Sequence, residues 1–369
     1  MKKELPSGWQ EFQIKDICSI NYGKGLGKNN IVEGNIPVYS SGGIIGYHNE
    51  SLINSKGVII GRKGNAGSVF YSNSPFFCID TAFYVEPNDN IDLKFLYYKL
   101  ISIKLERHKI DSAVPGINRD TIYSISITVP PIDEQKRIAD ILSTFDDLIE
   151  NLKKLIEKKE IYKKGVMQRV LSGKVRFEGF TDEWETVKLK DILIAGSKDR
   201  VPDTSKYKKI TIKLHNKGIE FSNIERKMAD KRPFYIRKKD EIIIGKQNYF
   251  NGSIAIVDEE FDNTICSNAI MSFTVNEDCN NKFIYFLLSR KSYMQKYYHL
   301  ANGTGQKELS ESDFLNFNLL IPSLEEQNKI AELLTLIDKD IDNLKKMLQL
   351  RKLQKKGVMQ KLLTGEVRV

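Results

Sequence analysis

Two stretches stand apart from the rest of the chain by the period of their apolar residues. Between Pro130 and Phe177, Ile138, Ile141, Phe145, Leu148, Leu152, Leu155, Tyr162 and Val166 recur at alternating steps of three and four, broken only by Lys159. This is the seam of a coiled coil. Between Pro322 and Val369, Ile330, Leu333, Ile337, Leu344, Met347 and Val358 repeat the pattern. Leu334, Ile341 and Leu348 widen that stripe into a face broad enough for more than one partner helix. Pro130, Pro131 and Pro322 mark the helix entries, and the acids Asp133, Glu134, Glu325 and Glu326 suit the positive end of a helix dipole. Gly173 and Gly365 stand where a left-handed cap would end each helix. Each stretch predicts a rod of roughly 60 Å, from about 40 residues rising 1.5 Å each.

The two rods are copies. PPIDEQKRIADIL…KKGVMQRVLSGKVRF returns 192 positions later as PSLEEQNKIAELL…KKGVMQKLLTGEVRV, with about 22 of 48 positions identical and no gap. The segments before them also begin alike, GWQEFQIKDI from Gly8 against EWETVKLKDI from Glu183, and VIIGRKG from Val58 echoes IIIGKQN from Ile242. Apolar runs at Ile36 to Tyr39, Val58 to Ile60, Ala82 to Val85, Ile242 to Ile244 and Ser272 to Val275 predict strands parted by glycine turns. Shorter helices are expected near Leu93 to Ile103 and Phe283 to Tyr293. The expected organisation is globular over residues 1–129 and 178–321, with helical spacers over 130–177 and 322–369. Two such helices pack antiparallel about a pseudo-twofold axis, which would put the globular segments at opposite ends.

Composition narrows the function. The 369 residues are 41% hydrophobic and 28% charged, a globular balance with no run long enough to span a membrane. No signal peptide opens the chain, so a cytoplasmic location is expected. The four cysteines and four histidines include no close pair, which leaves no zinc site and no disulfide framework. The net charge of +9 suits a polyanionic partner, and Ser197 to Phe250 holds 15 basic against 7 acidic side chains.

Catalytic motifs are missing. A phosphate-binding loop fails because Asn29 follows Gly27-Lys28 and Tyr22 stands where its first glycine belongs. Gly61, Gly64 and Gly67 lack the dinucleotide spacing, and Asn73-Ser74-Pro75-Phe76 lacks the first proline of an amino-methyltransferase loop. A metal-dependent nuclease built on Pro202-Asp203 and Glu225-Arg226-Lys227 is a weak alternative, as is a coiled-coil adaptor. Recognition remains. Loops of cations, amides and glycines fit base-edge reading, Arg and Lys toward guanine, Asn and Gln toward adenine. The candidates are Ser40, Ser41, Arg62, Lys63, Asn65, Asn118 and Arg119 in the first segment. In the second they are His215, Asn216, Lys217, Lys246, Gln247, Asn248, Tyr249, Thr304, Gln306 and Lys307. Lys206, Lys208, Lys209, Arg237, Lys238 and Lys239 are candidates for phosphate contacts.

IPVYSSGGIIGYHN at Ile36 to Asn49, the openings VPPIDEQKRIADIL and LIPSLEEQNKIAELL, and the closings KKGVMQRVLSGKVR and KKGVMQKLLTGEVR together resemble the specificity subunit of type I restriction-modification systems. The match extends over essentially the whole chain. The resemblance implies an α+β fold of two mixed α/β target recognition domains separated by two long antiparallel coiled-coil helices. It implies a non-catalytic subunit that reads a split, asymmetric site in double-stranded DNA, the helices fixing the gap. Two modification subunits carrying S-adenosylmethionine would dock along the helices, and restriction subunits using ATP and magnesium would join them. The seam residues would then serve both helix pairing and partner docking.

Overall fold

The computed structural model describes residues 5–27, 32–110, 113–222, 232–300 and 308–369. The chain divides into two compact units, one of Met1–Leu155 with Leu344–Val369 and one of Ile156–Asn343. Each therefore holds one globular body, the opening part of the long helix that follows it, and the closing part of the other long helix. We call these unit 1 and unit 2.

Both bodies are α+β and share one plan. In unit 1 an antiparallel sheet runs in the order Cys18–Tyr22, Ala82–Pro87, Gly57–Gly61, Val69–Ser72; in unit 2 the order is Leu193–Ala195, Ile270–Val275, Ile242–Gly245, Ile254–Ile256. Gly57–Gly61 and Ile242–Gly245 are buried along their whole length, as their unbroken apolar runs require. Their registers correspond, Gly61 standing opposite Ala82 and Gly245 opposite Ile270. A second layer covers the sheet. In unit 1 it is Gly43–His48, Ile36–Ser40 and Phe77–Cys78; in unit 2 it is the pairs Ile210–Ile212 with Ile219–Phe221 and Phe234–Arg237 with Thr264–Ser267.

The body helices begin at side-chain caps. Asp92 accepts from Phe95 N–H ahead of Leu93–Ser102, and Asn280 accepts from Phe283 N–H ahead of Asn281–Leu288. The single helix expected near Phe283 to Tyr293 is two. Ser289 closes the first, Lys291–Tyr297 starts afresh, and between them the Arg290 guanidinium donates to the Leu171 carbonyl at 2.7 Å. All four cysteines are buried thiols; burial pushes Cys18 and Cys78 up to about 12, which leaves them unreactive. No described helix is long and apolar enough to cross a membrane.

The long helices are Ile132–Val170 and Leu324–Leu363. Their ends follow the sequence closely: Gly173 and Gly365 both adopt φ +69. The Trp184 ring lies over Gly173 and the Trp9 ring over Gly365, so the tryptophan that opens each body packs on the cap of a helix end. The pairing is antiparallel in unit 2, where Lys159 meets Asp340 at 2.6 Å and Lys163 meets Asp338. Asp146 with Lys355 is the matching pair of unit 1.

The buried seam differs from the predicted one. Ile138 and Leu152 are buried as expected, and Ile141, Phe145 and Val166 are half-buried, but Leu148, Leu155 and Tyr162 are 38%, 41% and 57% exposed. Leu142, Ile149 and Ile156, each one position further on, are buried in place of that series. Adjacent residues lie about 100° apart around a helix, so two apolar stripes run side by side and the sequence period fits either. In the second helix Ile330, Leu334, Ile337 and Ile341 are buried, Leu333, Leu344, Leu348 and Val358 are half-buried, and Met347 is 44% exposed.

Each helix start is clamped by the tail of the other helix. Glu134 and Glu326, in the first turns, are buried at 3% and 0% exposure. Arg368 takes both oxygens of Glu134, at 2.6 and 2.8 Å, and Arg176 both oxygens of Glu326, at 3.0 and 2.7 Å. These are planar, two-bond pairs. The next residue ties the body down. Gln135 accepts from Asp92 N–H and donates to the Pro130 and Asn90 carbonyls; Gln327 accepts from Asn280 N–H and donates to those of Pro322 and Asp278. Arg368→Ala should strip the Gly365, Glu366 and Val367 amides of hydrogen-exchange protection and spare the matching tail around Gly173; equal protection in wild type and variant would refute the clamp.

Unit 1 has a further lock. Lys99, 6% exposed, donates to Thr128 Oγ1 at 3.0 Å and to the Leu363 carbonyl at 2.7 Å, capping the second helix. Burial pushes its ammonium down from 10.5 to about 8. The unfolded chain holds this proton up to about pH 10.5 and the folded chain only to about pH 8, so the unfolded state binds more protons between them and stability rises with pH there. Compared with Lys99→Met in denaturant titrations, wild type should gain on the order of 3 kcal/mol of relative stability from pH 8 to 10.5. A pH-independent difference would show that Lys99 is ordinarily solvated.

Candidate nucleic-acid interface

The echo between VIIGRKG and IIIGKQN has a structural meaning. Gly61 and Gly245 end equivalent strands, and each donates its N–H to a serine carbonyl across a tight turn, Ser68 at 2.8 Å and Ser253 at 2.9 Å. Arg62 N–H donates to Thr81 and Lys246 N–H to Ala269. The carbonyl of Arg62 accepts from Ile117 N–H at 3.0 Å and that of Lys246 from Leu309 N–H at 2.9 Å. In both units the strand exit thus presents its polar residues beside a short helix, Arg119–Tyr123 in unit 1 and Glu311–Leu315 in unit 2.

In unit 1 three turns converge there. Gly64 N–H donates to Pro115 O, Lys63 bridges Gly116, and Ser68 Oγ donates to the carbonyls of Ser41 and Asn65. The Asn65 amide lies against Gly42. Lys63, Asn65 and Asn118 are exposed. Ser40 and Ser41 are each 9% exposed; Ser40 Oγ braces its own turn by donating to Gly43 O and accepting from Gly42 N–H. Arg62 donates through Nε and Nη2 to Asp80 O, at 2.9 and 2.6 Å. Its guanidinium lies 5.3 Å from the Tyr22 ring centre and that of Arg119 lies 5.2 Å from it. Tyr22 itself is 51% exposed.

In unit 2 His215, Asn216 and Lys217 form an exposed turn, His215 and Asn216 both left-handed. It is held by His215 N–H on Asn251 O, Asn216 N–H on Gly252 O and the Asn216 side chain on Ser289 O. Gln247 and Asn248 are exposed and Lys246 half-buried. Lys246 also lines a cleft of about 220 Å³ with Ser197, Lys198, Tyr235, Asn268 and Glu311.

Two candidates belong to the interior. Tyr249 is 0% exposed and donates its hydroxyl to Leu288 O at 2.9 Å; burial raises its pKa and it stands as a core side chain, not a base reader. Arg237, at 2% exposure, lines the same cleft but is held by Cys266 Sγ, Ser197 O and Glu241, a buried and partnered cation and not an exposed phosphate contact. Its neighbours Lys238 and Lys239 are exposed on Asn263 and Glu259. Lys206 is exposed beside Asp203, Lys208 is exposed over the Phe221 ring, and Lys209 is half-buried over Phe234. Asp203, weighed as a nuclease acid, caps a turn: hydrogen bonds from Ser205 lower its pKa. Thr304, Gln306, Lys307 and the Glu225-Arg226-Lys227 run lie outside the described residues. No cluster of three metal-ligating side chains occurs among the described residues.

The family model described as type I restriction modification DNA specificity domain matches residues 6–160 and 181–352, one match for each repeat. The chain belongs to this family. Among relatives, the type I restriction enzyme MjaVIII specificity subunit of Methanocaldococcus jannaschii is 26% identical, the alignment spanning 99% of this chain and 94% of that protein. A putative type I specificity subunit of Mycoplasma pneumoniae, S.MpnORF507P, is 28% identical across 87% of this chain and 86% of its own. The crystal structure of a type I restriction-modification S subunit from M. genitalium matches the fold with a TM-score of 0.69 at 21% identity, covering 98% of both chains. The chain is thus a specificity subunit with two target recognition domains, a recognition component and not a catalytic one.

Sequence reasoning missed Tyr22, Ser197, Lys198 and Glu311. Tyr22 carries a signal, an aromatic residue following the alternation of a strand onto its exposed end; Glu311 carries none until Leu309 is paired with Lys246. The glycines at the strand exits give a test. A Cβ on Gly61 would sit 2.3 Å from the Asn65 carbonyl, whereas on Gly245 it would meet the rotatable Ser253 hydroxyl at 2.4 Å. In denaturant titrations, Gly61→Ala should cost unit 1 about 1–3 kcal/mol and Gly245→Ala clearly less. The reverse order would overturn this account of the turns.

Proposed function

We propose that the chain reads a split, asymmetric site in double-stranded DNA, each unit reading one half through the loops at its strand exit. The observation that carries this reading is the pairing of a common frame with unlike loops. Arg62-Lys63-Gly64-Asn65 and Lys246-Gln247-Asn248 leave equivalent strands, so one scaffold presents two different sets of donors and acceptors. Exposed Lys63 and Asn118 in unit 1, and His215, Lys217, Gln247 and Asn248 in unit 2, are available to base edges or sugars. Lys206, Lys208, Lys238 and Lys239 supply phosphate contacts that hold register without carrying sequence information.

The second part of the proposal concerns partners. The long helices leave apolar side chains in solvent, Leu148, Leu155, Met347, Leu350 and Leu353 in unit 1 and Ile161, Tyr162 and Leu336 in unit 2, at 38% to 67% exposure. Exposed apolar rows on a rod mark a protein interface. Modification subunits that carry S-adenosylmethionine and methylate adenine are the occupants this reading assigns. Restriction subunits using ATP and magnesium complete the assembly when present.

The deciding experiment changes Lys246, Gln247 and Asn248 together to alanine and maps methylated adenine in genomic DNA of cells that carry the chain with its modification partner. One half of the split motif should degenerate while the other keeps its sequence. An unaltered motif at both halves would refute the placement of the reading loop.

A further inference from the structure

The correspondence of the two strand exits extends to a pair of residues with opposite charge. Ile117 and Leu309 donate to equivalent carbonyls, those of Arg62 and Lys246, and each is followed by one capping residue, Asn118 or Ser310, and then by the first residue of a short helix. That first residue is Arg119 in unit 1 and Glu311 in unit 2. The opposing strand agrees, because Cys18 pairs with Pro87 as Leu193 pairs with Val275; Tyr22 and Ser197 therefore stand four residues on in each.

The surroundings differ in chemistry. In unit 1 two guanidinium groups flank the half-exposed Tyr22 ring, and Arg119 Nε is buried without a hydrogen-bond partner among the described residues, which leaves outward donation to its Nη groups. Both charged groups on this ring are donors. In unit 2 the tyrosine is replaced by Ser197, the cleft opens, and Glu311 reaches its rim with Lys198 on Oε1 at 2.8 Å. A carboxylate beside a polyanion is unfavourable unless it accepts a hydrogen bond there. Lys198 offsets that repulsion and fixes the side chain, while Glu311 Oε2 keeps its acceptor capacity.

We infer that Arg119 and Glu311 are matched specificity determinants with opposite polarity, resting on the reading of the two units as DNA readers. Arg119 directs its donors at an acceptor edge, that of guanine. Glu311 accepts from the exocyclic amino group of cytosine, and so rejects bases that offer only acceptors at that point.

The test selects bound duplexes from a randomised DNA pool with the full chain in complex with its modification partner, and compares wild type with Glu311→Gln, Glu311→Asp, Glu311→Arg and Arg119→Gln. Glu311→Gln should lower discrimination at one base pair of one half-site about tenfold and leave the other half unchanged. Glu311→Asp, which keeps the acceptor, should retain the wild-type base, and Glu311→Arg should shift the choice toward guanine. Arg119→Gln should relax one position in the other half only. The inference is overturned if Glu311→Gln enriches the wild-type sequences, or if it weakens all sequences equally, as loss of a phosphate contact would. If wild type itself enriches no sequence, the DNA-reading function fails rather than this assignment.

Discussion

A buried carboxylate in the first turn of each long helix is the constraint on which the rest depends. Glu134 and Glu326 have almost no contact with water, and a buried charge is tolerated only when paired and fully hydrogen-bonded. The dipole of its own helix helps, but the planar partner is an arginine from the tail of the other helix, Arg368 or Arg176. The glutamine one residue later fixes the cap of a body helix, so a single helical turn joins a globular body, its own spacer and the far end of the second spacer. This is why each compact unit takes its segments from two distant parts of the chain. It also accounts for the closing motif of both repeats, in which a capping glycine, a valine and an arginine keep the same spacing: the glycine turns the chain against a tryptophan, and the arginine then meets the acid.

Duplication leaves the two bodies free to differ where no such closure is needed. Their sheets share strand order and register, and their strand exits share a glycine whose N–H is satisfied across the turn. The exposed side chains beyond that glycine, those of Lys63, Asn65, Gln247 and Asn248, answer to no packing requirement of this kind. Arg62, Lys63 and Asn65 on one side and Lys246, Gln247 and Asn248 on the other project from the same frame with different hydrogen-bonding capacity. A specificity subunit requires this separation of duties: invariant geometry to carry the readers, and variable chemistry at their tips.

The helix ends, their caps and the repeat were legible in the sequence because they are set by local chemistry: proline at the entry, acids in the first turn, glycine at φ +69 at the exit. Register across the helices was not. Leu148 and Ile149, or Leu155 and Ile156, are adjacent apolar residues, and only the facing helix determines which of each pair is buried. The interior placement of Tyr249 and Arg237 was hidden for a related reason. A tyrosine in a polar turn and an arginine beside two lysines look like surface residues until Leu288 O and Cys266 Sγ, 39 and 29 positions away, are brought against them. Tertiary pairing, not local propensity, decided each of these cases.

The same distinction refines the electrostatic reading. The basic stretch from Ser197 to Phe250 suggests a broad cationic face, yet several of its cations are matched by acids: Lys198 by Glu311, Lys206 by Asp203, Arg237 by Glu241 and Lys239 by Glu259. Matched pairs contribute little field beyond a Debye length of about 8 Å at physiological salt. Two of these acids, Glu259 and Glu311, lie outside the stretch, so its count overstates the attraction for a polyanion, and the long-range pull falls to exposed lysines such as Lys208 and Lys217. Close-range discrimination has different requirements. An acid held at the rim of a cleft by a lysine costs affinity for any phosphate and favours only a sequence that presents a donor to it. On the proposed assignment, an acid at the cleft rim gives up non-specific binding in exchange for choice between bases.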